Sequence, residues 1–213
     1  MSAPSFVEVL HMQRTGERGA NSLKQELVVR VEATSGASAD QVYAVLADLS
    51  THTVWAGERQ GAKTRLLTID APAGPATVGT EFSSTGSDPM GSFADRSVVT
   101  EAQAGRIFEF VTEARFSTKK GTTSDWTNVE RYELAPLAHG CRIVCTGRVN
   151  RMSSLPGTLK VFNVPGLRGL VLKASARVSR RTVRNLARYA EEGGNERQAA
   201  RDGAANARRE GGI

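Results

Sequence analysis

The sequence predicts an α+β fold, a curved antiparallel sheet of seven strands held against one long C-terminal helix. Three observations predict it. One alternating run is followed at once by a capped helix, six further runs of strand length are separated only by short turn-forming stretches, and the chain then turns helical from about Val164. Short connections favour an antiparallel meander, because parallel strands need crossovers of a dozen residues or more.

The elements follow in order. In "LKQELVVRVEAT", Leu27, Val29, Val31 and Ala33 share one face, and Arg30, Glu32 and Thr34 the other, the pattern of a half-buried strand. "SADQVYAVLADLS" supplies a helix, with Ser38 as N-cap, Gln41 completing a capping box, and Val42, Val45, Leu46 and Leu49 at helical spacing. A second short helix starts near Ser50 and carries "THTVW". The six later strands are "AKTRLLTID", "TEFSSTG", "FADRSVVTEA", "RIFEFVTEARF", "DWTNVERYEL" and "CRIVCTGRV". "VPGLRGL" opens the last helix, where Pro165 suits a first helical position or kinks a helix begun near Thr158. At about 100° per residue, Leu167, Leu170, Val171, Ala174, Val178 and Tyr189 share one sector, the expected buried face. Lys173, Arg177, Arg180, Arg184 and Arg188 share a neighbouring one, with Arg181 at the boundary.

The two ends of the chain read differently. Residues 1–22 show no sustained period and are expected to form a mobile arm, with residues 23–192 as the folded domain. From about Gly193 the chain is rich in Gly, Ala and Arg and almost without large apolar side chains, so residues 193–213 are expected to be disordered, or at most frayed helix. Nothing approaches the roughly 18 uninterrupted apolar residues of a membrane span. Met1 to Leu10 lacks the basic start and apolar run of a signal peptide, so a cytoplasmic protein is expected.

Of the 213 residues, 28 are basic and 22 acidic, and the surplus is local. Between Leu155 and Ala190 there are eight basic residues and no acid; elsewhere basic and acidic groups nearly balance. Any electrostatic partner is therefore a partner of the C-terminal helix. Cys141 and Cys145, four apart on one strand, would lie about 13 Å apart, too far for a disulfide, and are expected to be free and buried.

The stretch "VEATSGASADQVYAVLADLSTHTVW" resembles the opening strand, capped helix and tryptophan of the START and birch-pollen-allergen superfamily, also called SRPBCC or polyketide cyclase/dehydrase-like. "VGTEF" resembles its glycine-led third strand, "VVTEAQAGRIFEF" its turn between middle strands, and "WTNVERYELAPLAHGCRIV" its closing hairpin. The resemblance covers roughly Leu23 to Glu192. It implies the helix-grip fold, in which the sheet wraps around the C-terminal helix and a cavity for an apolar or amphipathic small molecule lies between them. The superfamily includes lipid carriers, hormone receptors, aromatase/cyclases, hydroxylase domains and chaperone-activating modules, so the resemblance implies a cavity and not a reaction.

Strand alternation proposes what lines the cavity. Phe108, Phe110, Thr112, Ala114 and Phe116 share one side of their strand, as do Trp126, Asn128, Glu130, Tyr132 and Leu134, and Phe82 with Ser84. With Trp55 and with Leu167, Leu170, Val171 and Ala174 of the helix, these are the candidate ligand-binding residues. Each aromatic residue would serve equally as core. Glu130 is more informative: on an inward face it must be paired, for instance with Arg96, or neutralised, or open to a wet cavity. On the opposite face it is simply exposed. The catalytic candidates are Glu130, Tyr132 and His52, although a solvent-exposed His52 is the simpler expectation. The pairs Glu109 with Glu113 and Glu130 with Glu133 read as solvated strand positions. His11, His52 and His139 have no metal-ligand spacing, and no phosphate-binding or nucleophile motif is present, so neither a metal nor another cofactor is expected.

Three functions remain open. The first is a carrier or sensor binding a lipid, polyketide or isoprenoid; the second is an aromatase/cyclase-like enzyme; the third is an interaction module using the basic helix. That helix is a solvated face, or docks to an anionic membrane or acidic protein. Nucleic acid is disfavoured, because no aromatic residues interleave with the arginines.

Overall fold

A computed structural model describes residues 26–60, 65–88, 91–152 and 167–210. The expected N-terminal arm, Pro165 and any helix start near Thr158 lie outside the described residues. Strand β1 (Leu27–Ser35) leads to helix α1 (Ala39–Ala47), capped by Ser38 and Gln41 as the sequence predicts: Gln41 N donates to Ser38 Oγ at 3.2 Å, and Ser38 N donates to Gln41 Oε1 at 2.8 Å. A short irregular helix, α2 (residues 49–60), follows, with a wide π turn over Thr53–Gly57 flanked by tighter 3₁₀ turns. Then come β2 (Arg65–Asp70), β3 (Glu81–Ser87), β4 (Gly91–Gln103), β5 (Ile107–Thr118), β6 (Thr123–Pro136), β7 (Cys141–Met152) and helix α3 (Leu167–Glu210).

The strands form one antiparallel sheet in the order β1-β7-β6-β5-β4-β3-β2, a meander whose last strand returns to pair with the first. The turn between β6 and β7 closes at Gly140, whose φ of +85° and tight approach to the Ser35 carbonyl leave no room for a Cβ. Register shifts at Leu66/Thr68, Val99/Glu101 and Thr127/Asn128 bend the sheet. None inverts the predicted faces of β5 and β6: Phe108 lies opposite Tyr132, Phe110 opposite Glu130, and Thr112 opposite Asn128. The shift in β7 falls after Val149 and turns Met152 inward.

The convex face is charged, and Arg131 bridges Glu101, Glu109 and Glu133 there. Glu109 and Glu133 are thus outward strand positions, as expected, but ion-paired ones. Arg96 pairs with Glu81 rather than with Glu130.

Helix α3 departs from expectation in phase. Its buried residues are Val183, Leu186, Ala187 and Ala190, with Leu172 and Ala176 partly covered in the same sector. That sector lies about 135° around the helix from the predicted one. Leu170 is instead 63% exposed, Val178 39% exposed, and Ala174 also faces out. Leu167, Leu170, Val171, Ala174 and Val178 do not share a face with Val183, Leu186, Ala187 and Ala190, so one straight helix can bury only one set. The second set wins because it carries polar anchors as well. Ser35 Oγ donates to the Ala187 carbonyl at 3.0 Å, Gly36 N donates to Glu191 Oε1 at 2.7 Å, Asn185 Nδ2 donates to the Trp55 carbonyl at 3.1 Å, and Arg59 pairs with Glu192 at 2.6 Å. The helix runs on past Gly193 to Glu210, where composition led to an expectation of disorder or at most frayed helix; the run is dense in Ala, Arg, Glu and Gln, all good helix formers.

Candidate functional site

The concave face carries two apolar clusters rather than one. The larger gathers Trp55, Phe108, Tyr132, Leu134, Cys141, Ile143 and Cys145 under α1 and the C-terminal part of the packed helix, where Val183 and Leu186 have no exposed surface. A smaller one, at the far end, joins Leu27 and Met152 with Trp126, Val149 and Leu172. Trp126 stacks on Phe116 there, ring centroids 5.8 Å apart.

Between them on the concave face stand Val29 of β1, Gly147 of β7, Asn128 and Glu130 of β6, and Phe110 of β5. All five point inward by register, and all keep part of their surface accessible. Side chains are small here: from Leu172 to Val183 the inward sector of α3 carries only Ala176 and Ser179, and β7 carries Gly147.

Glu130 stands in the middle of this stretch. An added Cβ at Gly147 would sit 2.9 Å from Glu130 Oε2, so the glycine makes room for the carboxyl. The Cys145 thiol donates to Glu130 Oε1 at 3.2 Å. Burial raises the Glu130 pKa, and the thiol's hydrogen bond offsets this only in part. The residue lies deep among protein atoms while keeping some accessible surface. Tyr132 and Cys145 are pushed well up, first by burial and then by neighbouring acidic groups, so both are neutral donors. Glu130 is thus inward, makes no ion pair among the described residues, and holds its proton more tightly than an exposed carboxyl does.

A polar row continues across the sheet. Ser97 and Thr112 share a hydrogen bond at 2.9 Å, and Ser84 Oγ donates to Asp95 Oδ1 at 2.7 Å. Burial raises Asp95 too, against the pull of Ser84. Asp95 was not anticipated. Its signal was the alternation Phe93, Asp95, Ser97 in "FADRS", which register with β5 assigns to the concave side.

The remaining predicted residues separate by position. Trp55, Phe108 and Tyr132 are packed in the larger cluster, where Trp55 meets Tyr132 edge-on at 6.4 Å. Phe82 closes on Phe110 at 5.5 Å at the edge of that cluster. Val171 is half-buried, Leu170 and Ala174 face solvent rather than the sheet, and the side chain of Leu167 lies outside the described residues.

His52 is a correction: it is 4% exposed, not solvated. Nε2 lies 2.9 Å from the Leu46 carbonyl, to which it donates in the neutral ring, and the imidazole sits 4.5 Å from the Trp55 ring. Burial pushes its pKa down to about 4. It is a satisfied core histidine. Among the described residues no group of three or more His, Cys, Asp or Glu side chains is arranged to hold a metal ion.

The sequence also gave no hint of an open groove of about 1020 Å³ outside the sheet's hollow, between α1, the 71–75 loop and the α3 residues Tyr189 and Glu192. Arg59 crosses it, paired with Glu192 and 5.1 Å above the Tyr189 ring. Glu130 does not line this groove.

A seven-stranded antiparallel sheet gripping a C-terminal helix, with two short helices closing one end, defines the helix-grip class. Within it the chain belongs to the family described as polyketide cyclase / dehydrase and lipid transport, whose model matches residues 26–191. Solved structures agree on the fold. An uncharacterised protein of Rhizobium leguminosarum is 11% identical with a TM-score of 0.57, covering 81% of this chain and 97% of its own. A Nitrosomonas europaea protein is 15% identical with a TM-score of 0.51, covering 78% and 95%. A Staphylococcus aureus protein of unknown function is 10% identical with a TM-score of 0.51, covering 81% and 97%. No curated protein matches the sequence significantly.

Proposed function

We propose that the protein binds a hydrophobic or amphipathic small molecule of lipid, polyketide or isoprenoid type in a gap beneath α3, as a carrier or sensor. One observation carries this reading: the concave face is interrupted by small residues and by a buried carboxyl, its pKa raised by burial, at the point where a structural core would be filled. An apolar hollow with a few convergent polar groups is the usual make-up of a small-molecule site. The two clusters supply apolar walls, and Glu130, Asn128 and Asp95 offer hydrogen bonds to an oxygen-bearing part of the ligand.

Native mass spectrometry of the purified protein, followed by titration with fractionated lipid and polyketide extracts, tests it. The expected result is a bound small molecule. Ala176→Leu, which fills the gap, removes it, and Glu130→Leu weakens it about tenfold through the lost hydrogen bond. Equal binding by wild type and Ala176→Leu, or none from any extract, overturns the reading.

The state of Glu130 favours one second reading. A buried carboxyl of raised pKa beside the Tyr132 and Cys145 donors is equipped for general acid catalysis, as an aromatase/cyclase-like enzyme requires. Under that reading Glu130→Gln abolishes conversion of a poly-β-keto chain while leaving its binding intact. A variant that turns over normally excludes it.

A further inference from the structure

The outward face of α3 is the feature that neither the fold nor the gap explains. Leu170 is 63% exposed and Val178 39% exposed, with Ala174 between them. Beside this ridge stand Lys173, Arg177, Arg180, Arg181 and Arg184, all exposed. None of the five makes an ion pair among the described residues, and the helix carries no acid before Glu191. The run from residue 170 to 184 extends about 21 Å along the axis. Lys173, Arg177 and Arg181 follow one another at i, i+4, as do Arg180 and Arg184, and like charges at that spacing destabilise a helix. An isolated helix face gains nothing from such an arrangement, whereas a negatively charged plane relieves the repulsion and covers the apolar ridge.

We propose that this face docks α3 onto an anionic lipid surface, with the cations on the headgroups and Leu170, Ala174 and Val178 in the interfacial layer. Cations flanking an exposed apolar strip are the make-up of a helix that lies in a membrane interface. No helix among the described residues is long and apolar enough to cross a membrane, so the contact is peripheral. A polyanion such as nucleic acid would use the cations but not the ridge. Docking does not depend on what the gap holds. It would bring the loosely covered part of the hollow, under Ala176 and Ser179, close to the bilayer.

The test is co-sedimentation of the full chain with phosphatidylcholine vesicles and with vesicles containing phosphatidylserine as well, at low and high salt, beside a binding assay with a short DNA duplex. The expected result is binding to the anionic vesicles only, lost at high salt. Replacing Lys173, Arg177 and Arg184 together by Gln weakens it about 100-fold, taking roughly one kcal/mol per cation. Leu170→Ser with Val178→Ser weakens it as well. All these positions are exposed, and unchanged thermal melts show that the variants fold. Failure to bind anionic vesicles, binding indifferent to the Gln triple variant, or DNA binding indifferent to the two Ser changes in the absence of vesicle binding each overturns the proposal.

Discussion

The two parts of the concave face are built from the same strands and the same helix, yet one is packed shut and the other is not. Around Phe108, Ile143, Val183 and Leu186 every inward position carries a side chain large enough to meet its neighbour, and exposure falls to zero. One or two helical turns toward the N-terminus of α3, the facing positions are Ala176, Ser179 and Gly147, and the carboxyl of Glu130 keeps accessible surface. The difference teaches that the closeness of packing is a matter of side-chain volume, not of backbone shape: a strand register that continues unbroken through β5 and β6 supports a dense core at one end and smaller, partly accessible side chains beside it.

Truncation gives the largest contrast. Leu186→Ala at the packed end should cost about 2–5 kcal/mol in chemical denaturation, through lost burial and a residual cavity. Leu172→Ala in the smaller cluster should cost clearly less, because Leu172 is itself already partly exposed. Equal losses would mean that both ends are core.

Acid comes next. The buried His52 stays neutral until about pH 4, against 6.5 for a free imidazole. Its folded pKa is depressed, so its contribution is full above about pH 6.5 and is lost as pH falls toward 4, amounting to about 3 kcal/mol. Melting temperature followed between those values should fall in the wild type and flatten in His52→Gln, whose amide can still donate to the Leu46 carbonyl.

Enlargement should then invert the truncation result. Ala187→Leu overpacks the closed end, at about 1–3 kcal/mol, whereas Ala176→Leu enters the gap at little cost or with a gain. A large penalty at Ala176 would show the gap to be filled.

The smallest effect belongs to Glu130. Its pKa is raised by burial, so its stabilising contribution is full below the unfolded carboxyl pKa and is lost as pH rises through the folded one. Denaturation midpoints should decline with rising pH on the alkaline side of about pH 4.5, and Glu130→Gln should remove that slope. Gly147→Ala should keep the fold but displace the carboxyl, and with it any ligand that Glu130 holds.

Much of this was legible in the one-dimensional pattern. The order of elements, the capping box at Ser38 and Gln41, the inward side of β5 and β6 and the free cysteines follow from periodicities of two and of about 3.6 and from local chemistry, which need no knowledge of distant residues. Glu130 could be marked as significant because an acid amid inward aromatic residues demands an explanation. Whether it was inward, and what answered it, could not be read, since Cys145 and Gly147 lie on another strand and meet it only through register. His52 was misjudged for the same reason: nothing near it in sequence announces that α2 folds its ring against Trp55.

Sequence by itself determined the inventory of strands and helices, because each is a local statement about side-chain period and backbone preference. Tertiary structure alone decided which face of α3 is buried, for two apolar sets competed for one rigid cylinder and the anchors at Ser35, Asn185 and Arg59 lie on other elements. That choice of rotation also set the small Ala176 and Ser179 inward and turned the cations with Leu170 outward. Rotation of a helix about its axis is a global variable, and no local pattern can set it when two are present.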